Sequence, residues 1–140
     1  NNRAANDANA LVTALHLARN EAITRGMPVS VCATDDGATC SGDVAWTTGW
    51  LVFTDAVAPQ GSVDAGADPD TVLRVFPAVS DGAELLADTA AVTYRANGFL
   101  AVGGAASFAL DVPDCRGDHN RAITVNLQGR AGVTHTACAD

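Results

Sequence analysis

Small and apolar residues recur along the first thirty positions at Ala8, Leu11, Leu15, Ala18 and Ala22, in steps of three and four. That spacing forms one stripe on an α-helix, with Thr13, His16, Asn20 and Thr24 on the other side. Arg25 in the last turn, Gly26 after it and Pro28 two residues on predict the stop. Beyond the helix the period changes to two. Pro28 to Ala33 sets Val29 and Val31 against Ser30 and Cys32, and Trp50 to Phe53 is a short buried-looking run. Val72 to Phe76 places Leu73 and Val75 on one face, and Val92 and Tyr94 alternate with Thr93 and Arg95. Asn97-Gly98 predicts a hairpin returning through Phe99 to Val102. After Gly103-Gly104, Ala106, Phe108 and Leu110 line one face of a further strand. A last hairpin pairs Ala122 to Leu127 with Ala131 to Thr136 across Gln128-Gly129-Arg130, with Ile123, Val125 and Leu127 pointing one way.

The pattern predicts an α+β fold: one long helix packed on antiparallel sheet of about seven strands. The stripe must lie across that sheet, with Leu11, Leu15 and Ala22 against strand residues such as Val125 and Phe108. At 140 residues the chain is one domain with a substantial core. Residues 1–26 are read as the helix and 27–140 as a β-rich head. No run approaches the roughly 18 apolar residues of a membrane span. The helix starts abruptly at Asn1-Asn2-Arg3, which suggests that an upstream part belongs before it.

Four cysteines, at 32, 40, 115 and 138, contain no Cys-x-x-Cys redox motif and allow three pairings. The expected disulfides are Cys32–Cys40 and Cys115–Cys138, because each closes a local loop rich in turn residues. On chain-entropy grounds they contribute about 2.5 and 3.5 kcal/mol, less any strain. The competing reading gathers Cys115, His119, His135 and Cys138 into a tetrahedral zinc site; oxidised cysteines cannot ligate, so no metal is expected. A calcium loop in Asp55 to Asp70 fails the EF-hand pattern at Val57 and Pro59. That stretch reads as an exposed acidic loop.

Net charge is −8, with eight basic residues, all arginine. An acidic total opposes duplex DNA as the main ligand, since phosphate neutralisation supplies most non-specific affinity. Catalysis has no support: there is no nucleophile elbow, and a phosphate loop needs a lysine this chain lacks. No enzyme activity and no cofactor are expected.

The blocks Ala18 to Gly26, Val29 to Cys32, Cys40, Thr48 to Asp55, Val72 to Val75, Asn97 to Phe99 and Gly129-Arg130 resemble the FimT/FimU/GspH group of type IV pilin-like proteins. The resemblance implies a pilin-like fold, a leader, and a hydrophobic helical half ahead of residue 1 that anchors the protein in the bacterial inner membrane. The head would be periplasmic before assembly and at the pilus or cell surface afterwards. It implies as partners the other minor pilins and the major pilin, with the stripe Ala8, Leu11, Leu15, Ala18 and Ala22 packing between subunits. Two other roles follow from the same group: a minor pseudopilin of type II secretion, and DNA uptake in natural transformation. The DNA-binding signature of FimT-type members is Gly-Arg-x-Arg; here Gly129-Arg130-Ala131-Gly132 keeps the first arginine and lacks the second. Arg130 would lead any DNA contact, with Arg121 and Arg116 as helpers.

Overall fold

The computed structural model describes residues 2–55, 63, 70–101, 105–113, 117 and 120–138. Helix α1 (Asn2–Arg25) is followed by eight strands: β1 (Val29–Ala33), β2 (Trp50–Thr54), β3 (Val72–Phe76), β4 (Glu84–Ala87), β5 (Ala91–Tyr94), β6 (Ala106–Asp111), β7 (Asn120–Val125) and β8 (Ala131–Thr136). They form two four-stranded antiparallel sheets, ordered β3-β2-β1-β5 and β4-β6-β7-β8. The helix packs on strands of both.

The stripe is the reason. Ala4, Ala8, Leu11, Ala14, Leu15, Ala18 and Ala22 are buried in one core with Phe108, Ile123 and Val125 of the second sheet and Val29, Val31 and Val52 of the first. Alanine at five of these seven helix positions lets the backbone approach the strands closely, so one helix serves two sheets. At its end Gly26, at φ 67°, turns the chain, and the N–H groups of Gly26 and Met27 both return to the Ala22 carbonyl at 2.9 and 3.3 Å.

In the first sheet β1 and β2 are buried on both faces. Val29, Val31, Trp50 and Val52 face the helix, while Cys32, Leu51 and Phe53 build a smaller core on the far side with Cys40, Val63, Val72 and Ala91. The Cys32–Cys40 disulfide is present, with Cα atoms 5.6 Å apart, and joins this second core. Asp36 organises the loop it closes. Its carboxylate accepts the N–H groups of Ala38 (2.9 Å) and Thr39 (2.8 Å) and the Thr39 hydroxyl (2.7 Å). Those backbone N–H groups hold its pKa well below the usual carboxylate range.

The second sheet shows the expected alternation in β6, with Ala106, Phe108 and Leu110 buried. Three details differ from the sequence reading. A fourth strand in this sheet, β4, was not anticipated. The expected return after Asn97-Gly98 is short: among the described residues it pairs with β5 as one bridge, Tyr94 to Leu100, held by the Arg95 N–H on Phe99 O (2.7 Å) and the Ala101 N–H on Thr93 O (2.8 Å), while the outward Leu100 N–H donates to Leu127 O at 3.0 Å; Val102 lies outside the described residues. Finally, β7 ends at Val125, so Leu127 sits in the turn and is exposed instead of sharing the inward face of Ile123 and Val125.

Candidate functional site

The helix stripe is not a surface. Leu11, Leu15, Ala18 and Ala22 have no exposure and Ala8 has 2 %, because the two sheets cover that side. This corrects the expectation that the stripe packs between subunits: the molecule's own core uses it up. What the helix offers outward is the polar face of Thr13, His16, Asn20 and Thr24, all exposed.

Chemistry-bearing side chains do converge at the C-terminal half of the helix. Three elements meet there: Arg19 on α1, the turn after β5, and the turn joining β7 to β8. The first turn is closed by the Gly98 N–H on Arg95 O (2.8 Å), the Arg95 N–H on Phe99 O (2.7 Å) and the Phe99 N–H on Asn97 Oδ1 (3.0 Å). The second is closed by the Gly129 N–H on Asn126 O (2.9 Å), the Asn126 N–H on Arg130 O (3.0 Å) and the Arg130 N–H on Asn126 Oδ1 (3.0 Å). Gly98 (φ 85°) and Gly129 (φ 83°) both need the left-handed region, and a side chain on Gly129 would run into the Gly98 carbonyl. Arg19 locks the junction by donating from Nε to Gly98 O at 3.2 Å. Tyr94 lies beneath, fully buried, its hydroxyl without a hydrogen-bond partner among the described residues; burial raises its pKa and nearby Arg19 lowers it less.

The result is a cleft of about 410 Å³ lined by Arg19, Phe99, Asn126, Gln128 and Arg130. Its polar groups are cations and amides, with no carboxylate among the lining residues. Arg130 lines this cleft with Arg19, 111 positions away in the chain, and Arg121 is not among the lining residues. Arg121 is 6 % exposed, with Nη1 donating to its neighbour Asn120's carbonyl at 3.3 Å; a guanidinium so buried does not present itself to a phosphate. Arg116 lies outside the described residues.

Cys138 is disulfide-bonded, which removes its sulfur from any zinc set, and His135 is exposed on β8; Cys115 and His119 lie outside the described residues. Asp55 does not belong to an exposed acidic loop. It is fully buried, accepts the Ser30 hydroxyl at 2.7 Å and donates its N–H to Pro28 O at 2.9 Å. The Asp64 and Asp68 part of that stretch lies outside the described residues, as do Val57 and Pro59. Among the described residues no helix is long and apolar enough to cross a membrane.

Two crystal structures of the type IV minor pilin FimU from Pseudomonas aeruginosa (strain PAO1) share this fold. The first superimposes with a TM-score of 0.72 at 20% sequence identity, covering 99% of this chain and 96% of that one. The second, in another crystal form, gives 0.64 at 20% identity, covering 92% and 94%. Among curated proteins there is no match. The family described as type II transport protein GspH matches residues 7–129, and with one helix laid across two antiparallel sheets the chain belongs to that pilin-like family.

Proposed function

We propose that this protein is a non-enzymatic minor pilin of a type IV pilus, FimT/FimU-like, that primes fibre assembly at the tip. The observation that carries the reading is the likeness to FimU along almost the whole of both chains, helix and sheets together. In this reading residues 1–26 are the soluble half of the pilin helix and 27–140 the head, continuous with a hydrophobic segment in the inner membrane before assembly. The head is periplasmic until it joins the fibre, where other minor pilins and the major pilin are its partners. Cys115–Cys138 is the second disulfide. Lateral contact uses the polar outer face of the helix, since the inner stripe is spent. Deleting the gene in the source bacterium should strip most surface pili, measured as sheared major subunit, and the full-length gene should restore them. Normal piliation in the deletion strain would sink the reading.

The family match also favours a minor pseudopilin of type II secretion, which loss of secretion with normal piliation would support. The exposed Arg130 favours DNA contact. A pair of experiments separates that role from a passive surface charge. Gly132 lies in β8 without a positive φ, and an added Cβ there meets nothing within 4 Å, so Gly132→Arg folds and supplies the missing second arginine. Duplex binding should then tighten, with a log–log salt slope steeper by about 1, while Arg130→Ala abolishes it. Binding that ignores both changes would rule DNA out as a ligand of this turn.

A further inference from the structure

The cleft at Arg19 and Arg130 has a composition that calls for a specific kind of occupant. Arg19 spends its Nε on Gly98 O, and neither its terminal nitrogens nor the Arg130 side chain meets a carboxylate among the described residues. The Asn126 Oδ1 is taken by the Arg130 N–H, so that side chain has its amide donor left to give. The cleft thus offers guanidinium and amide donors with two positive charges and no carboxylate, on a chain whose net charge is −8. Its rim is apolar. Phe99 is 44 % exposed, Leu127 53 % and Ile23 46 %; Leu127 sits between two lining residues, and Ile23 packs by Gly98.

We propose that this cleft docks an acidic segment of a neighbouring pilin-like subunit, one carboxylate between the two guanidiniums and an adjacent apolar side chain against Phe99 and Leu127. The inference rests on the assembly role proposed above. A small anion would satisfy the arginines and leave the apolar rim in water. A nucleic acid would find two guanidiniums on a molecule whose overall charge repels it. An acidic, apolar segment matches both halves of the surface, and opposite charge at the contact selects the partner and its register.

The test is photocrosslinking in cells that assemble the fibre, with p-benzoylphenylalanine in place of Phe99. The adduct should map to another pilin-like subunit, next to an Asp or Glu. Arg130→Glu should lower its yield about tenfold, Arg130→Lys should retain it, and a lysine at the mapped acid should recover the yield in the Arg130→Glu background. The same crosslinker at His16, on the outer helix face, should be indifferent to Arg130→Glu. Adducts to nucleic acid, adducts far from any carboxylate, yields unmoved by charge reversal, or no adduct while the protein is present in normal pili would each overturn the proposal. The deletion phenotype is read separately: lost pili with no charge-sensitive adduct keeps the assembly role and removes the cleft from it.

Discussion

Gly129→Ala is expected to destabilise the protein by roughly 3 kcal/mol. Two costs add. The backbone at φ 83° is in the left-handed region, where a Cβ costs about 1–2 kcal/mol. The new methyl group also overlaps the Gly98 carbonyl and presses on Arg19 Nε and Tyr94 Cε1, each at 3.1 Å. A backbone oxygen cannot swing aside as a side chain does, so the two turns must separate. Gly26→Ala is the internal control: its φ is 67° and nothing lies within 4 Å, so it carries the backbone term alone. Urea unfolding of both variants gives the difference. Equal losses would mean that the two turns do not meet as closely as described. Because the turns are the walls of the Arg19–Arg130 cleft, Gly129→Ala should also loosen the Arg19 contact with Gly98 O.

Trp46→Ala is expected to cost about 3–5 kcal/mol, a large part of the stability of a domain this size. Trp46 has no exposure, and its ring meets Phe108 edge-on, centroids 4.8 Å apart at 82°. Its indole N–H donates to Thr89 O at 3.0 Å, and its backbone N–H to Leu85 O at 2.8 Å. The residue lies in the connection between β1 and β2 yet packs on the second sheet, and its neighbours Val44 and Ala45 pair with β4. Truncation leaves a cavity and a carbonyl without its donor. Trp46→Phe keeps most of the volume and should lose only the hydrogen bond and part of the ring contact, about 1–2 kcal/mol. Chemical denaturation of the two variants decides it; a loss below about 1 kcal/mol for Trp46→Ala would show that the site collapses without harm.

The elements legible in the sequence are those whose burial follows a simple period. The helix stripe, the alternation of Ala106, Phe108 and Leu110, and the last hairpin are of this kind, and the local Cys32–Cys40 bridge needed little more. The strand β4 escaped because Glu84-Leu85-Leu86-Ala87 has few β-formers and places only Leu85 fully inward; it is a strand because β6 on one side and residues 44–46 on the other satisfy its backbone. The return after Asn97-Gly98 is legible from its turn signal and pairs with β5 around Tyr94, but Leu100 also reaches Leu127, a partner no local rule supplies. Asp55 looked like one more acid in a polar stretch; that it is buried beside Ser30 depends on the pairing of β1 with β2. The cleft was half visible. Arg130 stood out on its turn, whereas Arg19 follows the buried stripe by a single residue and gained meaning only when folding brought Gly98 against it. Nothing in the spacing of the arginines shows that Arg121 is buried.

One helix supporting two separate sheets also ties the two halves of the fold together. A displacement of the helix would therefore disturb both sheets at once. The alanine and leucine stripe lies in the core that both sheets share, so drawing the helix out would expose the inner face of each.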